Sequence, residues 1–483
     1  PQIVQASATY LVTSLRIKGA SDEASKGLQR VLNKCGRWMS NPTMVAQLIH
    51  EVNSASNQLS PESRQNLIDG IATVIVKMKT NDEARGGLEA LVGPVLERLE
   101  NALHAAQQGM QQQQQGMQQQ TNDVLETALK SISDELKTFA TAMNHVDYFK
   151  QKSKFVSRQR QALQEVAGNV MSRAWPIITA IVAMGREETT NELFDLFRTL
   201  LRAMTPLMSN YVSSIVDAAV SSYRRSLNVA ALKCLTGVVE SYGESQSEPL
   251  RQMLVATYEP TASVVQSGPA AMAARAEVIR EFFLLVHRVG LFCPSAFTSE
   301  MLERLIPLST QCSTLNEFKP AKQVLLVLVL LLKIPQKSEE LQHTTDRILG
   351  TNDVGTRLAM TLLNAITTTS PSRLVPSHAE VVYCLAARYS DICQQWIFRF
   401  LSNIPISTLS ADTKQVVMSL LFDVQSAQNV QRHKKRFKGV LVDLSKICRG
   451  EETADVLAGW TMATQSSGGG NGNGSSSALI DLS

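Results

Sequence analysis

The amino-acid sequence predicts an all-α protein, a solenoid of stacked antiparallel helix pairs, and three observations predict it. Between Leu193 and Tyr242 three amphipathic stretches follow one another, and the first and third begin about 38 residues apart, the period of a helical-repeat array. Hydrophobic residues make up 44% of the chain and aromatics only 5%, a Leu, Ala and Val composition suited to helix-on-helix packing. Strand-like alternation is scarce over 483 residues, a length that exceeds one hydrophobic core.

The elements follow in order from apolar spacing and from start and stop residues. In the N-terminal half the pattern predicts helices over about 6–18, 21–40, 43–55, 60–79, 82–106, 122–142, 157–184, 188–205, 207–223, 226–242 and 248–267. In the C-terminal half it predicts about 271–289, 294–313, 317–333, 337–349, 353–367, 377–389, 390–402, 410–424 and 427–449. Ser21-Asp22-Glu23 makes a first turn acidic, and Ser60-Pro61-Glu62 puts a capping hydroxyl before a first-turn proline and acid. In the helix over 188–205, Leu193, Leu196, Phe197, Leu200, Leu201 and Met204 share one face, and Pro206 closes it. Met208, Tyr211, Val212, Ile215, Val216, Ala219, Val220 and Tyr223 repeat the face. So do Leu227, Ala230, Ala231, Cys234, Leu235, Val238, Val239 and Tyr242, with Gly243 as the stop. One such pair cannot cover its own apolar face, so its neighbours must stack on it. The expected architecture is therefore an α-solenoid of HEAT-like pairs, a right-handed superhelix of about ten repeats over residues 1–462.

Two segments fall outside the pattern. Gln107 to Gln120, glutamine interrupted by Gly and Met, has no apolar face to bury and reads as a flexible inter-helix loop or frayed helix extension. Residues 463–483, rich in Gly, Ser and Asn, form a flexible tail ending in Ala478-Leu479-Ile480-Asp481-Leu482, which has the form of a short clathrin-box-like peptide. The chain opens at Pro1 in what read as mid-array helices, so a piece of a longer protein is expected.

The composition excludes several functions. With 47 basic and 43 acidic residues and no basic stripe interleaved with aromatics, direct nucleic-acid binding is not expected. Val324 to Leu332 is the longest apolar run, far below the roughly 20 residues that span a bilayer, so membrane insertion is not expected. Seven cysteines without a CxxC argue against disulfides or zinc and for a reducing compartment, each cysteine being a small packing residue. The histidines at 50, 104, 145, 287, 343, 378 and 433 lack i+4 partners and read as surface or repeat-interface residues. No nucleophile elbow, phosphate loop, zincin or dinucleotide motif occurs. The chain is expected to have no catalytic or metal residues and no cofactor, and not to be an enzyme. Arg432-His433-Lys434-Lys435-Arg436 has the composition of a nuclear localisation peptide or acidic-partner patch, but on a predicted helix it reads as a solvated face.

From about residue 60 to 460 the chain resembles the C-terminal half of the transportin-SR and importin-13 branch of the importin-β nuclear transport receptors. The resemblance is carried by Gln164-Glu165-Val166, Trp175-Pro176-Ile177-Ile178, Ser241-Tyr242-Gly243, Trp396 to Pro405 and Phe437 to Arg449, in collinear order. It implies a karyopherin that carries protein cargo on a concave helical surface through nuclear pores, with nucleoporin FG repeats as further partners. It also implies that the protein shuttles between cytoplasm and nucleus. Ran-GTP would bind mainly through repeats upstream of this chain. In transportin-SR an arginine-rich helix grips phosphorylated Arg-Ser segments, and guanidinium forks suit phosphate. That helix corresponds to 188–205, which makes Arg198 and Arg202 the candidate cargo-binding residues. Where the family has earlier arginines this chain has Glu192 and Asp195, and Asp195 can pair with Arg198 at i+3. The alternative is a HEAT or armadillo scaffold organising a cytoplasmic complex.

Overall fold

The structure, a computed structural model, describes residues 2–17, 19–55, 58–115, 119–146, 157–333, 338–350, 354–422 and 430–460. The expected tail over 463–483, with its terminal apolar peptide, lies outside them. Among the described residues no strand forms, and the chain divides into two compact units, Pro1–Pro260 and Thr261–Ser483.

The first unit contains α1 (Gln2–Ser14), α2 (Ser21–Met39), α3 (Pro42–Ala55), α4 (Pro61–Ile75), α5 (Asn81–Gln114), α6 (Gln119–Met143), α7 (Ser157–Met184), α8 (Glu187–Ala203), α9 (Thr205–Met208), α10 (Val212–Ser226) and α11 (Val229–Tyr242). The expected starts are real. Ser60 caps α4, its hydroxyl accepting from the Ser63 amide at 3.2 Å. Thr80 and Glu83 form a capping box on α5. Asp22, in the acidic first turn of α2, reaches into the next pair and accepts from Ser60 and Ser63. The unit is two-layered. In one layer α2, α4, α6, α8 and α11 are successive neighbours, while in the other α3 packs on α5 and α5 on α7. Each pair thus buries its apolar stripe against the next, as a repeat array requires.

The second unit begins within α12 (Ser247–Gln266) and continues with α13 (Pro269–Ala274), α14 (Ala276–Phe292), α15 (Ser299–Cys312), α16 (Phe318–Lys333), α17 (Glu339–Gly350), α18 (Val354–Asn364), α19 (Val375–Arg388), α20 (Ser390–Asn403), α21 (Ala411–Leu421) and α22 (Val430–Cys448). Here α14, α16, α19 and α22 form one layer, and α15, α17, α18 and α20 pack against one another in the second.

The fold class is the expected one, an α-solenoid, and the differences are local. Of the two forms expected for the glutamine stretch, Gln107 to Gln114 take the helix extension, because Gly109 lets α5 approach α6 until a Cβ there would lie 3.2 Å from that of Leu125. Met204 ends α8 before Pro206, and α9 and a 3-10 turn precede α10. Gly243 is no left-handed stop: its φ is −42°, and the chain runs on into a 3-10 turn. The left-handed residue is Leu227, φ 56°, which ends α10 rather than starting α11, and Asn228 caps α11 from the next position. The helix expected over 271–289 breaks at Arg275 into α13 and α14. After α18 the chain widens into a π-turn, Ala365–Thr369. Arg449 stabilises that turn by donating to the carbonyls of Ile366 and Ser370 at 3.0 and 2.6 Å.

Cysteines 234, 293, 312, 384 and 393 are buried and 35 and 448 half-buried, and all are free thiols. Burial pushes the Cys312 and Cys393 thiols up to about 12, leaving them protonated and apolar in character. The run Arg432–Arg436 is not simply solvated: Arg436 is 7% exposed, and Lys434 pairs with Glu380 of α19 at 2.5 Å.

Candidate functional site

α8 presents the residues singled out from the sequence. Leu193, Leu196, Phe197, Leu200 and Leu201 are at most 4% exposed, as their spacing predicts, and Phe194 joins them at 1%. Burying each such side chain contributes about 1.5–3 kcal/mol, which orients the opposite face outward. Trp175 of α7 lies 6.0 Å from the Phe197 ring and 4.3 Å from that of Tyr211, pinning α8 against α7.

Arg198 and Arg202 both stand on the exposed face, one turn apart, and line an open groove of about 720 Å³ between α8 and α11. Asp195, Thr199, Thr205, Gly237, Glu240 and Ser241 complete it. Both arginines have partners within the unit. Arg198 donates to Asp195 at 3.0 Å, the i+3 pair expected from the sequence, and the two side chains are 46% and 64% exposed. At that exposure the pair is worth under about 1 kcal/mol, so a stronger anion can displace it. Arg202 donates to the Asn144 side chain at 2.5 Å. Glu192, the other departure from an arginine stripe, pairs with Lys137 of α6 at 3.2 Å. Groove walls of both signs therefore suit a partner bearing both charges.

A second groove, of about 610 Å³, lies on the other side of α8, against α6, with Lys130, Lys137, Arg186, Glu126, Asp134 and Glu188 among its walls. α8 is thus the wall shared by two adjacent polar grooves.

Three residues hold this layer together: His145, and Asn144 and Glu135, which no sequence pattern singled out. Asn144 and His145 form the turn that ends α6, and while Asn144 receives Arg202, the His145 ring meets Asp69 of α4 at 2.6 Å. Gln29 of α2 donates to the same carboxylate at 2.7 Å. The His145 hydrogen bond, against burial, holds the Asp69 carboxyl down at about 2. The folded pKa lies below the ordinary 3.8, so this contribution to stability is complete above about 3.8 and is lost as pH falls toward about 2. In acid titrations of Asp69→Asn, the gap in unfolding midpoint to the parent chain should close across that window; a constant gap would disprove the linkage.

Glu135 of α6 is 1% exposed, accepts from Arg64 of α4 at 2.6 Å and forms an ion pair with Arg98 of α5 at 3.1 Å, an ion triad joining three helices. The sequence offered one available signal, an Asn-His pair just past an apolar helix. Arg64, Arg98 and Glu135 gave none, being far apart in the chain.

Among the described residues no group of three or more His, Cys, Asp and Glu could hold a metal, and no helix is long and apolar enough to cross a membrane. His145 sits between repeats, as expected of a histidine here, but His378 is 0% exposed, its Nδ1 3.1 Å from the carbonyl of Leu374, the residue before α19. Burial lowers its pKa.

Two layers of paired helices, with an exposed polar face and grooves between successive helices, define a helical-repeat solenoid. The chain is similar to a solved structure of importin-13 in its cytosolic state, with a TM-score of 0.65 and 14% identity over 92% of this chain. It spans 47% of that structure's length, and the likeness is one of fold. A structure of importin-β in a polyethylene glycol condition is a more distant match, with a TM-score of 0.38 and 13% identity over 92% of this chain and 55% of its own. No protein-family model and no curated protein matches the sequence.

Proposed function

We propose that the chain is part of a non-enzymatic nuclear transport receptor of the importin-β class, binding protein cargo on its helical surface and shuttling between cytoplasm and nucleus. The observation that carries this reading is the likeness to importin-13 across 92% of the chain, in keeping with the collinear resemblance in sequence. Arg198 and Arg202 are the cargo-binding residues of the reading, and their groove is where a phosphorylated Arg-Ser segment is held: guanidiniums receive its phosphates while Asp195 and Glu240 receive its arginines. Ran-GTP acts mainly through repeats upstream of this chain, and nucleoporin FG repeats supply passage through the pore.

Cargo binding is tested by titrating a labelled phosphorylated Arg-Ser peptide. Arg198→Ala/Arg202→Ala should weaken it roughly tenfold, the loss of two partly exposed charged contacts, and unchanged affinity would sink the assignment. The class is tested by cargo pull-down with the full-length protein, with and without Ran locked in its GTP state. Release that depends on Ran-GTP supports a receptor; cargo retained regardless of Ran supports the scaffold reading.

A further inference from the structure

The groove on α8 sets two guanidiniums against two carboxylates, Asp195 and Glu240. The second unit carries a less balanced surface, on the layer formed by α16, α19 and α22. There one carboxylate, Glu380 of α19, bridges two ammonium groups of α22: Lys434 at 2.5 Å on one oxygen and Lys438 at 2.8 Å on the other. Burial raises the Glu380 carboxyl, and the two lysines more than offset this, holding it below its ordinary value. The end of α16 lies against α19, where Arg388 donates to the Leu332 carbonyl at 3.3 Å, and Lys333, the last residue of α16, adds a further cation to this layer. Lys434 also lies 6.0 Å from the ring of buried Tyr383, which supports the cation from beneath. Lys434 and Lys438 keep 32% and 30% of their side-chain surface exposed, so both remain accessible while paired.

We propose that this strip is a docking surface for a carboxylate-rich segment of a protein partner, an extended run of Glu and Asp crossing α22, α19 and α16. Two ammonium groups share one internal carboxylate and Lys333 adds a further cation, and the excess positive charge is complementary to such a segment and repels a basic one. Adjacent helix axes are about 8–10 Å apart, so three helices span roughly 20 Å, the length of about six extended residues. The strip needs no contribution from Arg198 or Arg202, and the proposal stands apart from the cargo groove.

The test is fluorescence anisotropy of the whole chain with a labelled oligoglutamate peptide, an oligophosphoserine peptide and an uncharged Gly-Ser peptide. Oligoglutamate binding should weaken steeply with salt and fall roughly tenfold in Lys333→Gln/Lys434→Gln/Lys438→Gln. Arg198→Ala/Arg202→Ala should leave it unchanged. Glu380→Gln removes the internal competitor and should tighten binding several-fold, a gain that damage to the fold does not produce. The proposal is overturned by oligoglutamate binding no better than the Gly-Ser peptide, by a triple variant that binds like the parent, or by a Glu380→Gln variant without gain. Binding of the phosphoserine peptide alone overturns the carboxylate assignment.

Discussion

Glu135→Ala is expected to destabilise the Pro1–Pro260 unit by about 3–5 kcal/mol, because it strands the guanidiniums of Arg64 and Arg98 in a site where they lose their shared counter-ion. Both arginines are mostly covered, at 15% and 26% side-chain exposure, and cannot turn to water without disturbing α4 and α5. The loss should be read by native-state hydrogen exchange, where α4, α5 and α6 lose protection together. A drop below about 1 kcal/mol would show that the arginines find other acceptors. Arg64→Met/Glu135→Leu/Arg98→Met removes all three charges at once and should recover much of the loss, since an apolar replacement of a buried ion group is often close to neutral. The triad's contribution is then chiefly to the register of the three helices.

Phe197→Ala should cost about 3–5 kcal/mol, the usual range for emptying a buried aromatic site. Phe197 is 1% exposed and lies between the rings of Trp175 and Phe194, at 6.0 and 6.1 Å. Its removal leaves a cavity directly beneath the face that bears Arg198. The unfolding midpoint should fall and Trp175 emission should change, whereas Arg198→Ala/Arg202→Ala should move neither. If the arginine variant also shifted the midpoint by as much, loss of peptide binding in it would report unfolding rather than contact. Phe197→Ala with unaltered Trp175 emission would mean that the aromatic cluster does not fix α8.

Much of this was legible in the chain. The 3.6-residue apolar spacing located α8, α10 and α11, and the residues it assigned to the buried face of α8 are all at 4% exposure or less. Caps were legible where one side chain serves its own helix, as at Ser60. Breaks were less so: Gly243 reads as a stop from composition, yet the left-handed turn sits at Leu227, where the next helix's packing and the Asn228 cap outweigh the steric cost to leucine. The glutamine stretch reads as a loop or frayed helix extension because it has no apolar face, and α5 extends into it as far as Gln114, with Gly109 allowing contact with α6.

Charge on the polar faces divides the same way. That Asp195 would meet Arg198 follows from i+3 spacing, and the structure has that pair. That Arg202 would meet Asn144, 58 positions away, or that Lys438 would meet Glu380, also 58 positions away, does not follow from any local pattern. The sequence by itself determined that this chain is a series of amphipathic helices that must stack, because apolar periodicity is a local property and burial of that face dominates the energy. Only the tertiary structure decided which cations are neutralised and which remain available to a partner. Surface ion pairs are worth so little individually that they follow the packing of the layers rather than direct it.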